Sequence, residues 1–167
     1  MTFLEYQKEA IKTRVGSADN EEYLTLGLLA EVGEVADKLA KRRRDGVWDQ
    51  KAFVKELGDV LWFVANLADY WDRNNGDSDY SNFISRLKIP SMAGRYLTQV
   101  EAAIILAGNA ILLVEEGLEE QFAGIITDVH ILAVSVGYDL SQVAEINIAK
   151  LRDRQARGVI KGDGDER

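Results

Sequence analysis

The chain of 167 residues contains no cysteine, a single histidine, a single proline and no apolar run long enough to span a bilayer. Each absence closes a class of function. Without Cys there is no disulfide, zinc ribbon or thiol nucleophile, and one His cannot build a polyhistidine metal cage or a paired histidine relay. The most apolar stretch, Ala102 to Val114, covers thirteen residues with a Gly-Asn pair inside it, against the roughly 20 that a transmembrane helix needs. It reads as a buried helix, and no membrane association is expected. The N-terminus, Met-Thr-Phe-Leu-Glu, lacks a basic stretch followed by an apolar one, so no signal peptide is read and a cytoplasmic protein is expected. Basic residues are in deficit too. Lys and Arg number 20 against 28 Asp and Glu, a formal net charge of −8. That argues against a nucleic-acid polymer as partner, because such affinity comes mostly from Lys and Arg displacing counterions. A small phosphate ligand bridged by metal ions stays compatible, and the chemistry is left to carboxylates, Lys and Arg.

What is present is a folded, helical composition: 47% apolar and 29% charged residues can build a core in one domain. Apolar positions recur at three and four rather than at two, which predicts an all-α bundle of about six helices. Thr2 to Glu5 has capping-box spacing and opens a first helix over 3–15. Gly16 to Asn20 is a turn cluster. A second helix runs over 21–44 with Leu24, Leu28, Val32, Val35 and Leu39 on one side, and a third over 49–70 with Phe53, Leu57, Val60, Leu61, Val64 and Leu67 inward. Only a few residues around Asp45-Gly46 join them, so the two are antiparallel neighbours. A long loop follows over 73–90 with a short helix at 80–87, then helices over 96–116 and 119–136. Asp139 to Gln142 is a further capping-box spacing opening a last helix to 155, and the glycine-rich tail 158–167 is expected to be flexible. The run Lys41 to Arg44 is explained by the favourable dipole at a helix C-terminus.

Two carboxylate pairs stand out. Glu31-Val-Gly-Glu34 lies in the second helix and Glu56-Leu-Gly-Asp59 in the third. Spacing of i, i+3 puts both acids of a pair on one helix face, with Cβ atoms about 5–6 Å apart. Their flanks are apolar, so four acids are directed toward a helix interface, where repulsion and lost hydration require a cation or a proton. Carboxylate oxygens without His or Cys are hard ligands suited to Mg²⁺ or Mn²⁺, which retain waters and accept a partner's phosphate oxygens. Gly33 and Gly58, each inside a motif, cost roughly 1 kcal/mol of helix propensity and suggest close helix approach. Lys150 and Arg154 are i, i+4 and share one helix face, which by itself reads as a solvated basic stripe. Trp62 and Trp48 offer indole faces for a base, and Trp62, at the end of an apolar run, reads equally as a core residue. His130 sits in an apolar segment and reads as a satisfied core histidine.

Leu26 to Ala36, Lys55 to Trp62 and Ile146 to Arg154 together resemble the MazG-like branch of the all-α nucleoside triphosphate pyrophosphohydrolases. The family pattern is E-x-x-E, a gap, then E-x-x-D; here 21 residues separate Glu34 from Glu56. The resemblance implies Mg²⁺-dependent hydrolysis of a (deoxy)nucleoside triphosphate to monophosphate and pyrophosphate, metal-activated water attacking the α-phosphorus. It implies Glu31, Glu34, Glu56 and Asp59 as metal ligands and catalytic acids, with Glu34 or Glu31 taking the water's proton. For the matching positions Asn147, Lys150 and Arg154 it implies contacts to phosphates or sugar, and it places Gln7 and Thr13 near the nucleotide. Homo-oligomers, a dimer in the first place, are expected from the same comparison.

About 75 residues, 72 to 145, intervene where the shortest relatives have few, so a segment has been inserted or duplicated in a domain covering 1–157. Lys55 to Ala65 can be laid on Gly124 to Val134, and Leu29 to Glu34 on Leu106 to Ile111, a second copy keeping one acid of four. Two rival functions share the sequence: phosphoribosyl-ATP pyrophosphohydrolase, which uses the same acids, and a non-catalytic helical interaction module.

Overall fold

Helix ends in this protein are set by local hydrogen bonding that can be followed residue by residue. At Thr2 the hydroxyl accepts from the Glu5 amide and the Glu5 carboxylate accepts from the Thr2 amide at 2.7 Å, opening α1 (Phe3–Lys12). The Asp139 box works the same way with Gln142 and opens α7 (Leu140–Ala156). A third box at Thr98 and Glu101 opens α5 (Gln99–Glu116). Asn20 caps α2 (Glu21–Asp45) and Asp49 caps α3 (Gln50–Asn74), each accepting an amide of its first turn. A short α4 (Tyr80–Ser85) and α6 (Glu119–Val134) complete the set. The computed structural model describes residues 1–76, 79–86 and 97–159. Among them there are seven α-helices, a 3₁₀ turn at Gly16–Ala18 and no strand. No helix among them is long and apolar enough to cross a membrane.

The helical reading holds with shifted ends. Helix α1 stops at Lys12 rather than 15 because the Thr13 hydroxyl donates back to the Ala10 carbonyl and Val15 is extended. Helix α3 runs four residues past 70, since Trp71 is buried and its indole N–H donates to Glu21 at 2.7 Å. Helix α6 ends at Val134 rather than 136, three residues before Gly137 takes a positive φ of 82°. The short α4 raises the count from about six to seven. Of the tail 158–167, residues 160–167 lie outside the described residues.

Helix α3 is the axis of the fold. Fifteen of its residues are buried, and α1, α2, α4, α6 and α7 all pack on it. A helix apolar on every side is stable only when surrounded. Helices α2 and α3 form one hairpin across Gly46 to Asp49; α5 and α6 form another across Gly117-Leu118. The hairpins stack α2 on α5 and α3 on α6. Helix α7 then returns across α3, so the residues between 72 and 145 do not carry the last helix away from the acidic pairs.

Candidate metal centre

Helix α2 supplies Glu31 and helix α3 supplies Glu56 and Asp59, and one carboxylate oxygen from each lies within 4.8 Å of the other two. Glu34 is not in that group and is exposed. Successive helical residues are about 100° apart, so Glu31 and Glu34 differ by about 60° around α2, enough to turn one toward α3 and leave the other at the open edge.

Crowding has the electrostatic result expected of like charges in a dry place. The Glu31 carboxyl is pushed up to about 8, first by burial, then by the charges of Asp59 and Glu56, with Lys150 partly offsetting them. Two lysines balance the other acids. Lys38 Nζ stands 2.9 Å from Oε1 of Glu56, which is 2% exposed. Lys150 pairs with one oxygen of Asp59. The other Asp59 oxygen accepts from the Asn147 amide at 2.8 Å. Asn147 is fully buried, and its carbonyl oxygen in turn accepts from the Tyr6 hydroxyl at 2.9 Å. The amide can point only one way, because a flipped Asn147 would set its oxygen against a carboxylate. Burial and the Asp59 charge raise the Tyr6 pKa well above its ordinary value, so this hydroxyl remains a donor.

Gly58 explains how α7 comes so close. A Cβ added there would stand 2.8 Å from the Asn147 Cβ. Gly33 is different: a Cβ there meets nothing within 4 Å, so the expectation of close approach holds at Gly58 and fails at Gly33. Within α2 the tight position is Gly27, whose added Cβ would lie 2.1 Å from the Phe63 ring.

Beside the three acids opens a cleft lined by Glu31, Asp59, Arg154, Tyr23, Trp62 and Phe63, among others. Trp62 and Phe63 meet edge to face at 4.9 Å, and Tyr23 tilts on Phe63 at 5.7 Å. The Trp62 indole N–H donates to Thr13 at 2.9 Å, which fixes the ring as a wall and puts Thr13 at the cleft. Arg154 reaches it from α7, 5% exposed. Gln7 does not line it: its amide is spent on the Ala65 carbonyl and the Ser81 hydroxyl. Trp48 lies elsewhere, between Phe53 and the Arg42 guanidinium, 4.5 Å from its ring centre. His130 is half-buried on α6. Its Nδ1 has no hydrogen-bond partner among the described residues, so it is not the satisfied histidine expected, and burial lowers its pKa.

The donors fit a hard cation. Three carboxylate oxygens gathered within 4.8 Å of one another are the hard donors that a divalent cation such as Mg²⁺ or Ca²⁺ takes, and the raised Glu31 pKa marks crowded negative charge that a cation would relieve. Residues 19–87, which hold α2, α3 and α4, match the MazG nucleotide pyrophosphohydrolase domain. This segment is thus similar to a MazG domain. That segment contains Glu31, Glu34, Glu56, Asp59 and Trp62, while α5, α6 and α7 lie beyond it. The gene 37 protein of Mycobacterium phage L5 is 44% identical over 71 residues, covering 38% of this chain and 62% of the phage protein. The chain thus matches less than two thirds of that relative's length. No solved structure matches.

Sequence reasoning missed Lys38, Tyr6, Tyr23 and Phe63. Two of them left a signal, since Lys38 is two turns beyond Glu31 on the same face of α2, and Phe63 is one turn beyond Asp59. Tyr6 left none.

Proposed function

We propose that this protein hydrolyses nucleoside triphosphates to nucleoside monophosphate and pyrophosphate with Mg²⁺ or Mn²⁺. The observation that carries the reading is the meeting of Glu31, Glu56 and Asp59 beside an aromatic cleft in the MazG-like segment. These three acids hold the cation. A divalent cation there supplies Lewis acidity and charge neutralisation for phosphoryl chemistry. Glu34, at the open edge, takes the proton of the attacking water. Asn147 holds Asp59 in place from behind, and Lys150 and Arg154 offer their charges to the phosphates. Trp62, Tyr23 and Phe63 wall the space for the base. We take 1–157 as one domain in which 72–145 supplies a degenerate second hairpin, packed on the first.

Incubating the protein with a panel of ribo- and deoxyribonucleoside triphosphates, phosphoribosyl-ATP and Mg²⁺ or Mn²⁺ tests this. Monophosphate with pyrophosphate is the expected product pair; diphosphate with phosphate, or no turnover of any substrate, overturns the reading. The metal half has its own pH signature. Glu31 titrates near 8 in the folded protein against 4.5 for a free carboxyl. The folded state therefore holds this proton more tightly than the unfolded chain, and that stability is complete below pH 4.5 and lost as pH rises to 8. A cation competes with the proton, so the metal-dependent rise in melting temperature should be small at pH 5 and grow toward pH 8.

A further inference from the structure

Tyr23, Gly27 and Glu31 follow one another at four-residue spacing on α2, and Asp59 and Phe63 do so on α3, so each set shares one helix face. Glu31 and Asp59 belong to the acidic cluster, and Tyr23 lines the same cleft. From Glu31 to Tyr23 is about 12 Å along the helix. Gly27 stands halfway, with the Phe63 ring against it. A Cβ added at Gly27 would lie 2.1 Å from Cε1, 2.3 Å from Cζ and 2.9 Å from Cδ1 of that ring, whereas carbon atoms in contact settle at about 3.5–4.0 Å. No other glycine among the described residues meets a neighbour so closely. The ring occupies the place where any other residue would carry the first carbon of its side chain.

The ring has little room elsewhere. Tyr23 tilts on it at 5.7 Å, and Trp62 meets it edge to face at 4.9 Å. Trp62 is itself tied down, because its N–H donates to Thr13 and the Thr13 hydroxyl is committed to the Ala10 carbonyl. The side left to Phe63 is the cleft, which it lines while remaining only 6% exposed. A methyl group at position 27 would drive the ring that way, into the stretch between the acids and Tyr23. With the phosphates of a nucleotide at the acidic end, that stretch is where its sugar and base must lie. Glycine is a poor choice for the middle of a helix on propensity alone, and the notch it leaves for Phe63 gives it a use.

We propose that Gly27 is a positioning residue for the nucleoside: by taking the Phe63 ring into a notch of α2, it keeps the cleft open between the acids and Tyr23. Its effect reaches the substrate through Phe63 and leaves the cation untouched. This inference rests on the reading of the cleft as a nucleotide site.

Steady-state kinetics of the full chain, with a nucleoside triphosphate that the wild type turns over, and calorimetric titration with Mn²⁺ test it together. Gly27→Ala should raise KM about tenfold or more while kcat changes by less than about threefold, the pattern of lost binding rather than lost chemistry. Its Mn²⁺ affinity should stay that of the wild type. Phe63→Leu removes the ring, and in that background Gly27→Ala should shift KM by less than about twofold, because the two positions act on one contact. An unchanged KM in Gly27→Ala overturns the proposal. So does a fall in Mn²⁺ affinity that matches the rise in KM, or an effect of Gly27→Ala that persists without the ring. If Gly27→Ala alone does not fold, the double variant decides: it should fold and match Phe63→Leu in KM, and a double variant that also fails to fold overturns the proposal. A wild type that turns over no triphosphate overturns the nucleotide reading and this inference with it, whereas an active wild type with an indifferent Gly27→Ala overturns this inference alone.

Discussion

The two helical hairpins are built alike and hold their acids differently. Each ends its first helix on a glycine of positive φ, Gly46 at 69° and Gly117 at 65°, and turns back within a few residues. Each holds an aspartate, Asp59 partly buried and Asp128 buried, that accepts from an asparagine amide at 2.8 Å: Asp59 from Asn147, and Asp128 from Asn109. Each has a glycine pressed on that asparagine, with an added Cβ at Gly58 or Gly124 standing 2.8 or 2.6 Å from it. The difference is in number. Asp128 belongs to no group of three acids among the described residues, and the Asn109 amide donates to it. Around Asp59 three carboxylates converge, Lys38 and Lys150 are drawn in, and Glu31 is still pushed up to about 8. A single buried carboxylate is stable when hydrogen-bonded; a cluster calls for a cation. The same scaffold therefore holds one hydrogen-bonded aspartate in one half and a crowded acidic cluster in the other.

The largest effect should come from neutralising the acids one hairpin at a time. Asp59→Asn is expected to lower turnover by about 100-fold or more and to abolish the metal-dependent rise in melting temperature, since even outer partners of a metal site are worth 10–100-fold. Asp128→Asn should leave both unchanged apart from a modest loss of stability. Equal losses of turnover in the two variants would mean that the hairpins do not differ as described.

Next come the glycines, compared by urea denaturation. Gly58→Ala should destabilise the fold by about 1–3 kcal/mol, because its Cβ cannot be placed without moving α7. Gly33→Ala enters open space and should stabilise the chain by up to about 1 kcal/mol through helix propensity. Matching signs would contradict the close approach at Gly58.

The subtlest test is Tyr6→Phe, which removes one hydroxyl from behind Asn147. Loss of the buried hydrogen bond should cost about 1 kcal/mol of stability, and the less firmly held Asp59 should bind Mn²⁺ about tenfold more weakly in a calorimetric titration. Unchanged Mn²⁺ affinity would reduce Tyr6 to a packing residue.

Much of the fold was legible because its signals are local. Capping boxes at Thr2 and Asp139, glycines after helices and a 3.6-residue period are each read within one turn of chain. The box at Thr98 was equally local and passed unnoticed beside the loop before it. Trp71 lengthens α3 through a bond to Glu21, fifty positions away, and no window on α3 contains that partner. The site was legible in part for the same reason. The i, i+3 pairs announced four acids near an interface, but which of them meet depends on the rotation of α2 against α3. That left Glu34 outside the group. Gln7 looked suited to the nucleotide until its amide was found occupied by Ala65 and Ser81.

Composition and spacing by themselves determined an all-helical chain, a hard-cation donor set and the pairing of α2 with α3, because helix period, carboxylate chemistry and a short connection act over a few residues. Tertiary structure alone decided that three acids rather than four converge, that Lys38 and Lys150 balance them, and that Tyr6 holds Asn147 against Asp59. It also left Ile104 and Ile111 of α5 exposed. Those outcomes depend on helix rotation and crossing, which are fixed by packing between residues as many as 141 positions apart and have no signature in any single stretch of the chain.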